Sequence, residues 1–302
     1  MKVSPIKQIE AYYTNYYAKL ALVFTVLLLL VSGWDLGFMK YWKEFVVLIH
    51  EIFHVITASL TGGEIKKLIL HGNESAEVEI IGSWKYAVPL IYISGYVGCI
   101  LLGTWLLHLS FDEKKASLTL RFFSGFLLLN IFTFTEIFSY TWKIGFIWSI
   151  FIFLLSFATI QIVNFSLTSF GTAISLYGIL DLKDFIYNID QTDAGLLAKW
   201  ILDKRNGLSF LQNWNIKELS IFIAICIIVI NFGILLYYLY KIFFFTKSKD
   251  EASLKRMLKE YKKGTLPEDV INWFLKRELN LDGRPISKET IDKLRKGENF
   301  HE

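Results

Sequence analysis

The sequence predicts a mainly α-helical, polytopic membrane bundle of about six spans, with a small β-hairpin after span two and a soluble helical C-terminal tail. Three observations predict it. Of the 302 residues, 54% are hydrophobic and 17% aromatic, and the mean hydropathy is +0.42, too apolar for an ordinary water-soluble domain. Several apolar stretches are long enough to cross a bilayer. One interval, Glu64 to Ile81, abandons the helical period for alternation. The chain divides into an interfacial segment (1–17), a membrane domain (18–241) and a soluble basic tail (242–302). It therefore reads as an integral, multi-pass membrane protein whose surroundings are the lipid bilayer. The net charge of +4 lies mostly in the tail and is too small to argue for nucleic acid. Cys99 and Cys226 both sit in apolar runs, which argues against a disulfide framework or a Cys-rich metal site. Nothing in the sequence fixes the oligomeric state.

Residues 1–19 carry Lys2, Lys7 and Lys19 among Tyr12, Tyr13, Tyr16 and Tyr17, an aromatic and basic interfacial segment that the positive-inside bias places in the cytoplasm. Span one covers about 18–34 and reads as a retained span rather than a cleaved signal. Span two, about 43–61, stops at Thr61-Gly62-Gly63, a Gly pair at a helix end. Ile65 to Leu70 and Ala76 to Ile81 read as two strands around His71-Gly72-Asn73-Glu74-Ser75. An open strand edge near the active helix could accept an extended substrate, and an ordinary hairpin fits equally well. Span three, about 87–109, contains Ser94-Gly95-Tyr96-Val97-Gly98, in which Ser94 and Gly98 suit close helix packing. Span four covers about 119–138, with Glu136 close to the interface.

From Ile144 to Leu180 there is no Asp, Glu, Lys or Arg. That exceeds one crossing, and the small and polar cluster Asn164, Ser166, Thr168, Ser169, Gly171 and Thr172 is expected to break it into a full span and a second, shorter helix; six crossings follow if the 165–180 piece is re-entrant or another segment fails to cross. Asp181 is the first acid afterwards, with Asp184 one turn on. Thr192-Asp193-Ala194 opens a short amphipathic helix. The last span covers about 219–240, and the tail carries helices near 253–263 and 267–279. Its Lys-rich character suits either anionic lipid headgroups or plain solvation.

Chemistry concentrates in His50-Glu51-Ile52-Phe53-His54, inside the apolar run Phe45 to Leu60. Positions four apart share a helix face, so both imidazoles point the same way with Glu51 beside them. With five His and seventeen Glu in the chain, chance supplies this pattern in about one such sequence in two hundred. Ionisable groups in hydrocarbon are costly and usually functional. Two neutral imidazoles with a neighbouring carboxylate that is not itself a ligand is the chemistry of a zinc hydrolase helix, the alternative being a buried polar cluster joining helices. Catalytic zinc keeps three protein ligands and an open position. His50 and His54 supply two; Asp181 is the first candidate for the third, with Asp184 and Asp193 behind it, and each also reads as an interfacial or capping acid. The metal would acidify its bound water and polarise the scissile carbonyl. Glu51 would take the water's proton and deliver it to the leaving amine. Leu281-Asp282-Gly283 mimics a third-ligand string, yet lies among charged residues of the tail and reads as a turn. No substrate-binding residue is assigned.

These residues, followed by Thr61-Gly62-Gly63, Asn73-Glu74-Ser75 and Gly95-Tyr96-Val97-Gly98, resemble the site-2 protease clan of intramembrane zinc metalloproteases, and more closely its divergent branch of small membrane peptidases. That branch continues with a Ser-Leu-Tyr segment, paired Asp, Ser-Asp-Ala and Leu-Ala. The counterparts here are Ser175-Leu176-Tyr177, Asp181 and Asp184, Thr192-Asp193-Ala194, and Leu197-Ala198. The resemblance covers roughly residues 40–200, and the clan's usual Asn-Pro and Leu-Asp-Gly string is missing from the membrane region. It implies cleavage of a membrane-anchored protein within or near the bilayer, often releasing a regulatory domain. Two other classes compete: a catalytically inactive pseudoprotease that binds or regulates membrane proteins, and a metal transporter, which would need further ligands along a path through the spans.

Overall fold

The computed structural model describes residues 21–33, 36–72, 75–82, 87–110, 113–180, 189–204, 214–240, 249–281, 285–287 and 290. Helices are α1 (Ala21–Gly33), α2 (Lys40–Leu60), α3 (Val88–Leu109), α4 (Glu113–Phe134), α5 (Tyr140–Leu155), α6 (Ile160–Leu180), α7 (Asp193–Asp203), α8 (Ile216–Tyr240), α9 (Lys249–Lys262) and α10 (Glu268–Lys276). Strands β1 (Glu64–Leu70) and β2 (Ala76–Ile81) form the expected antiparallel hairpin after α2, with a register irregularity between Ile65 and Lys67. The architecture is mainly helical. The chain separates into two compact units, residues 25–237 and a second comprising 1–24 with 238–302.

Helix ends follow local chemistry. α2 stops where Gly62 adopts φ +80° and the Gly63 N–H reaches back 2.8 Å to the Ala58 carbonyl, a closure that a side chain at position 62 would strain. Pro89 lies in the first turn of α3, where its missing N–H is no loss. Ser139 caps α5 by accepting from the Trp142 N–H. Asn215 and Glu218 bond each other's backbone N–H reciprocally at the start of α8, a capping box.

α3, α4 (from Lys115) and α8 are long and apolar enough to cross a membrane, and α1 and α5 are shorter apolar helices. α8 turns Ile221, Phe222, Ile225, Val229 and Phe232 outward, an apolar surface that suits lipid and not water. α2 differs: Phe45, Leu48, Ile49, Ile52, Val55 and Ala58 are almost wholly buried. Its N-terminal half is wedged in an aromatic cluster. Trp42 stacks on Phe170 of α6 at 5.1 Å, while Phe45 meets Trp148 of α5 at 4.6 Å and Phe123 of α4 at 6.1 Å.

The long uncharged stretch breaks elsewhere than expected. The interruption falls at residues 156–159, and α6 runs unbroken through Asn164 to Thr172. The small residues there serve packing instead. A Cβ on Gly171 would lie 2.6 Å from Leu107 N, and one on Gly103 would lie 2.3 Å from Ser175 N, so the α3 and α6 backbones touch. α4 likewise ends at Phe134, leaving Glu136 in the connection beyond it.

In the tail, Leu254, Met257 and Leu258 of α9 pack on Ile271 and Leu275 of α10 and on Ile286. Leu279 pairs with Pro285 across residues 282–284, which lie outside the described residues together with the Asp282 turn.

Candidate metal centre

α2 sets His50 and His54 one turn apart on a single face, and their Nε2 atoms lie 2.9 Å from each other. A third group joins them from far along the chain. One oxygen of Asp193, Oδ2, is 2.9 Å from His50 Nε2 and 3.0 Å from His54 Nε2. Asp193 is the first residue of α7, whose cap is Thr192: its hydroxyl accepts from the Gly195 N–H at 3.3 Å. The small buried face Ala194, Gly195, Leu197 and Ala198 seats α7, which packs on α3. Asp181 and Asp184, the other two expected third ligands, lie outside the described residues.

α3 shapes the remaining walls. The Ile91 carbonyl accepts from His54 Nδ1–H at 2.5 Å and from the Ser94 hydroxyl at 2.6 Å. That bond fixes the His54 tautomer, leaving its Nε2 as a lone pair aimed inward. Gly95 faces the imidazoles directly: a Cβ there would fall 2.4 Å from His50 Nε2 and 2.6 Å from His54 Nε2. Gly98 accommodates the Phe53 ring in the same manner. Tyr96 and Tyr177 bracket His50 edge-on, with ring centroids at 4.6 and 4.9 Å. The small-residue pair that matters on α3 is thus Gly95 and Gly98. Ser94, read in the sequence as a packing residue, bonds backbone carbonyls of both helices.

This donor set fits zinc. Two imidazole nitrogens and a carboxylate oxygen make a triangle with edges of 2.9, 2.9 and 3.0 Å, near the separation of about 3.3 Å between ligands in tetrahedral zinc with bonds of about 2.0–2.1 Å. With Nδ1–H committed to Ile91, the His54 Nε2 lone pair faces the Asp193 carboxylate, an electrostatic conflict that a cation between them would relieve. Nδ1 of His50 is buried with no partner. Glu51 offers a carboxylate oxygen within 4.8 Å of a ligand nitrogen of both histidines. Both histidine side chains are nearly buried at 4% and 6%, whereas that of Asp193 is 18% exposed, so the centre opens on that side. His71, in the hairpin connection, pairs with Glu77 at 3.4 Å and takes no part. His50 and His54 thus belong to two overlapping sets of metal-type side chains, one with Glu51 and one with Asp193.

The Peptidase M50B-like family matches the chain over residues 20–238. No curated protein and no solved structure matches it. With its His-Glu-His group in place and most of its length covered by that match, the chain belongs to the Peptidase M50B-like family and is a zinc metalloendopeptidase integral to a membrane.

Proposed function

We propose that the chain is an intramembrane endopeptidase of the site-2 protease type, in which His50, His54 and Asp193 hold zinc and Glu51 is the general base. The observation that supports this most is the single Asp193 oxygen within 3.0 Å of both imidazole Nε2 atoms. Bound zinc supplies Lewis acidity, polarising a carbonyl and acidifying a water near neutral pH. The protein's own groups do the rest. Glu51 takes the proton of the attacking water and returns it to the leaving nitrogen as the peptide bond breaks. Ile91 holds His54 in one tautomer, and the rings of Tyr96 and Tyr177 keep His50 in place and bulk water out.

The substrate class in this reading is a membrane-anchored protein. A helix set in lipid hides its backbone in its own hydrogen bonds, so the segment to be cut must be unwound or short of a full helix where it meets Glu51. About six crossings and a tail (242–302) distinct from the membrane domain belong to the same reading.

Glu51→Gln tests it. Purified with zinc and offered single-span reporter proteins, this variant should keep the ion at wild-type stoichiometry and lose cleavage by about 10²–10⁴-fold. Cleavage at the wild-type rate would remove Glu51 from the mechanism.

A further inference from the structure

A second carboxylate on α2 lies outside this chemistry. Glu44 is fully buried, and its Oε2 accepts the Tyr140 hydroxyl of α5 at 2.8 Å. Its Oε1 has no hydrogen-bond partner, and the Lys40 ammonium is 3.9 Å away. An ionisable group so placed is expensive, and it is kept where it does something.

Its position on the helix says what. Glu44, Glu51 and Ala58 are seven apart, so they fall on one stripe of α2 with a drift of about 20° per step. The hairpin is fastened at both ends of that stripe. At one end Ile65 of β1 and Ile80 of β2 pack against Ala58 and Ile91. At the other, Gly72 faces the ring of Tyr140, the residue bonded to Glu44: a Cβ added there would lie 3.4 Å from it. The neighbouring Leu70 N–H donates to the Thr141 hydroxyl at 2.8 Å. The lengths are compatible: the fourteen steps from Glu44 to Ala58 rise about 21 Å, and the five strand steps from Ile65 to Leu70 span about 17 Å, with His71 and Gly72 leading on toward Tyr140. Both strands pack on α2, with Leu68 and Leu70 buried. The hairpin therefore runs lengthwise down the helix, and Glu51 is the midpoint of the stripe beneath it.

We propose that Tyr140 and Glu44 are positioning residues: their hydrogen bond fastens the far end of the hairpin to the catalytic helix and so sets the height of the hairpin over Glu51. This rests on the reading of Glu51 as the base. Gly72 has φ +70°, a conformation that suits glycine and strains other residues, so a glycine also serves the joint.

The test is hydrogen–deuterium exchange of zinc-loaded protein in detergent micelles, read by mass spectrometry for residues 64–81. Tyr140→Phe and Glu44→Leu should each speed hairpin exchange about tenfold, the net worth of one buried hydrogen bond. Peptides of α3 and α6 and the zinc stoichiometry should not change. Glu44→Gln, whose amide oxygen still accepts from Tyr140, should restore protection, and the Tyr140→Phe/Glu44→Leu double variant should be no looser than either single one. Hairpin exchange unchanged in Tyr140→Phe, or loosening that spreads to α3 with loss of zinc, would overturn the proposal. Glu51→Gln serves as the separate control: it should keep hairpin protection, so loss of the base assignment and loss of the joint give different results.

Discussion

A methyl group at position 95 would stand 2.4 Å from His50 Nε2, closer than non-bonded atoms approach, so Gly95→Ala must push the imidazoles off the face they share. Zinc affinity should fall about 10–100-fold, the usual scale for disturbing groups that orient a ligand, as measured by competition with a chelator; unchanged affinity would mean that α3 does not wall the site. His50, Glu51 and His54 were legible in the sequence because helical spacing alone puts both imidazoles on one face. Gly95 was not, since its contribution is an absence of atoms, and the Ile91 carbonyl was not, since every residue has one. Asp193 stood third of three acids after the uncharged stretch. What favours it now is tertiary: the small face of α7 seats that helix on α3, and a helix start capped by Thr192 turns the carboxylate toward α2.

At the scale of elements, the crossing of α3 and α6 at Gly103 and Gly171 holds Tyr96 and Tyr177 beside His50. Gly171→Leu would drive a side chain into the Leu107 backbone, where the built Cβ already lies 2.6 Å from nitrogen. Overpacking of this kind costs about 1–3 kcal/mol or more, so thermal unfolding in detergent should shift down by several degrees and the zinc site should loosen with it; an unshifted midpoint would mean the helices part without cost. The small hydroxyl residues of α6 explain the misplaced break in the uncharged stretch. Their hydroxyls turn back on their own helix, Thr172 to the Thr168 carbonyl at 2.7 Å and Ser175 to that of Thr172 at 3.1 Å. Polar atoms satisfied within a helix do not end it. The hairpin was readable almost to the residue because alternating Ile, Val and Glu leave one solution for a half-buried ribbon. Its fastening to Tyr140 was not, because that contact joins residues about seventy positions apart.

At the scale of the molecule, apolar faces on α3, α4 and α8 look outward while the ionisable groups collect on the inner helix α2 and at the start of α7. Hydropathy made these helices legible, α2 included, whose span was read to within three residues although it carries His50, Glu51 and His54; what it left unread is which of them is the inner one. In the proposed reading, such an arrangement would bring a water-dependent reaction into lipid by holding one ion in a walled site that is partly open beside Asp193. The identity of its ligands is the point on which everything else depends, and X-ray absorption at the zinc edge reads them directly. Wild-type protein should show only nitrogen and oxygen neighbours at about 2.0–2.1 Å, two of them imidazoles, and Asp193→Ala should lose the ion or replace one oxygen neighbour with water and bind zinc at least tenfold more weakly. Zinc held with undiminished affinity and an unaltered spectrum in Asp193→Ala would contradict it.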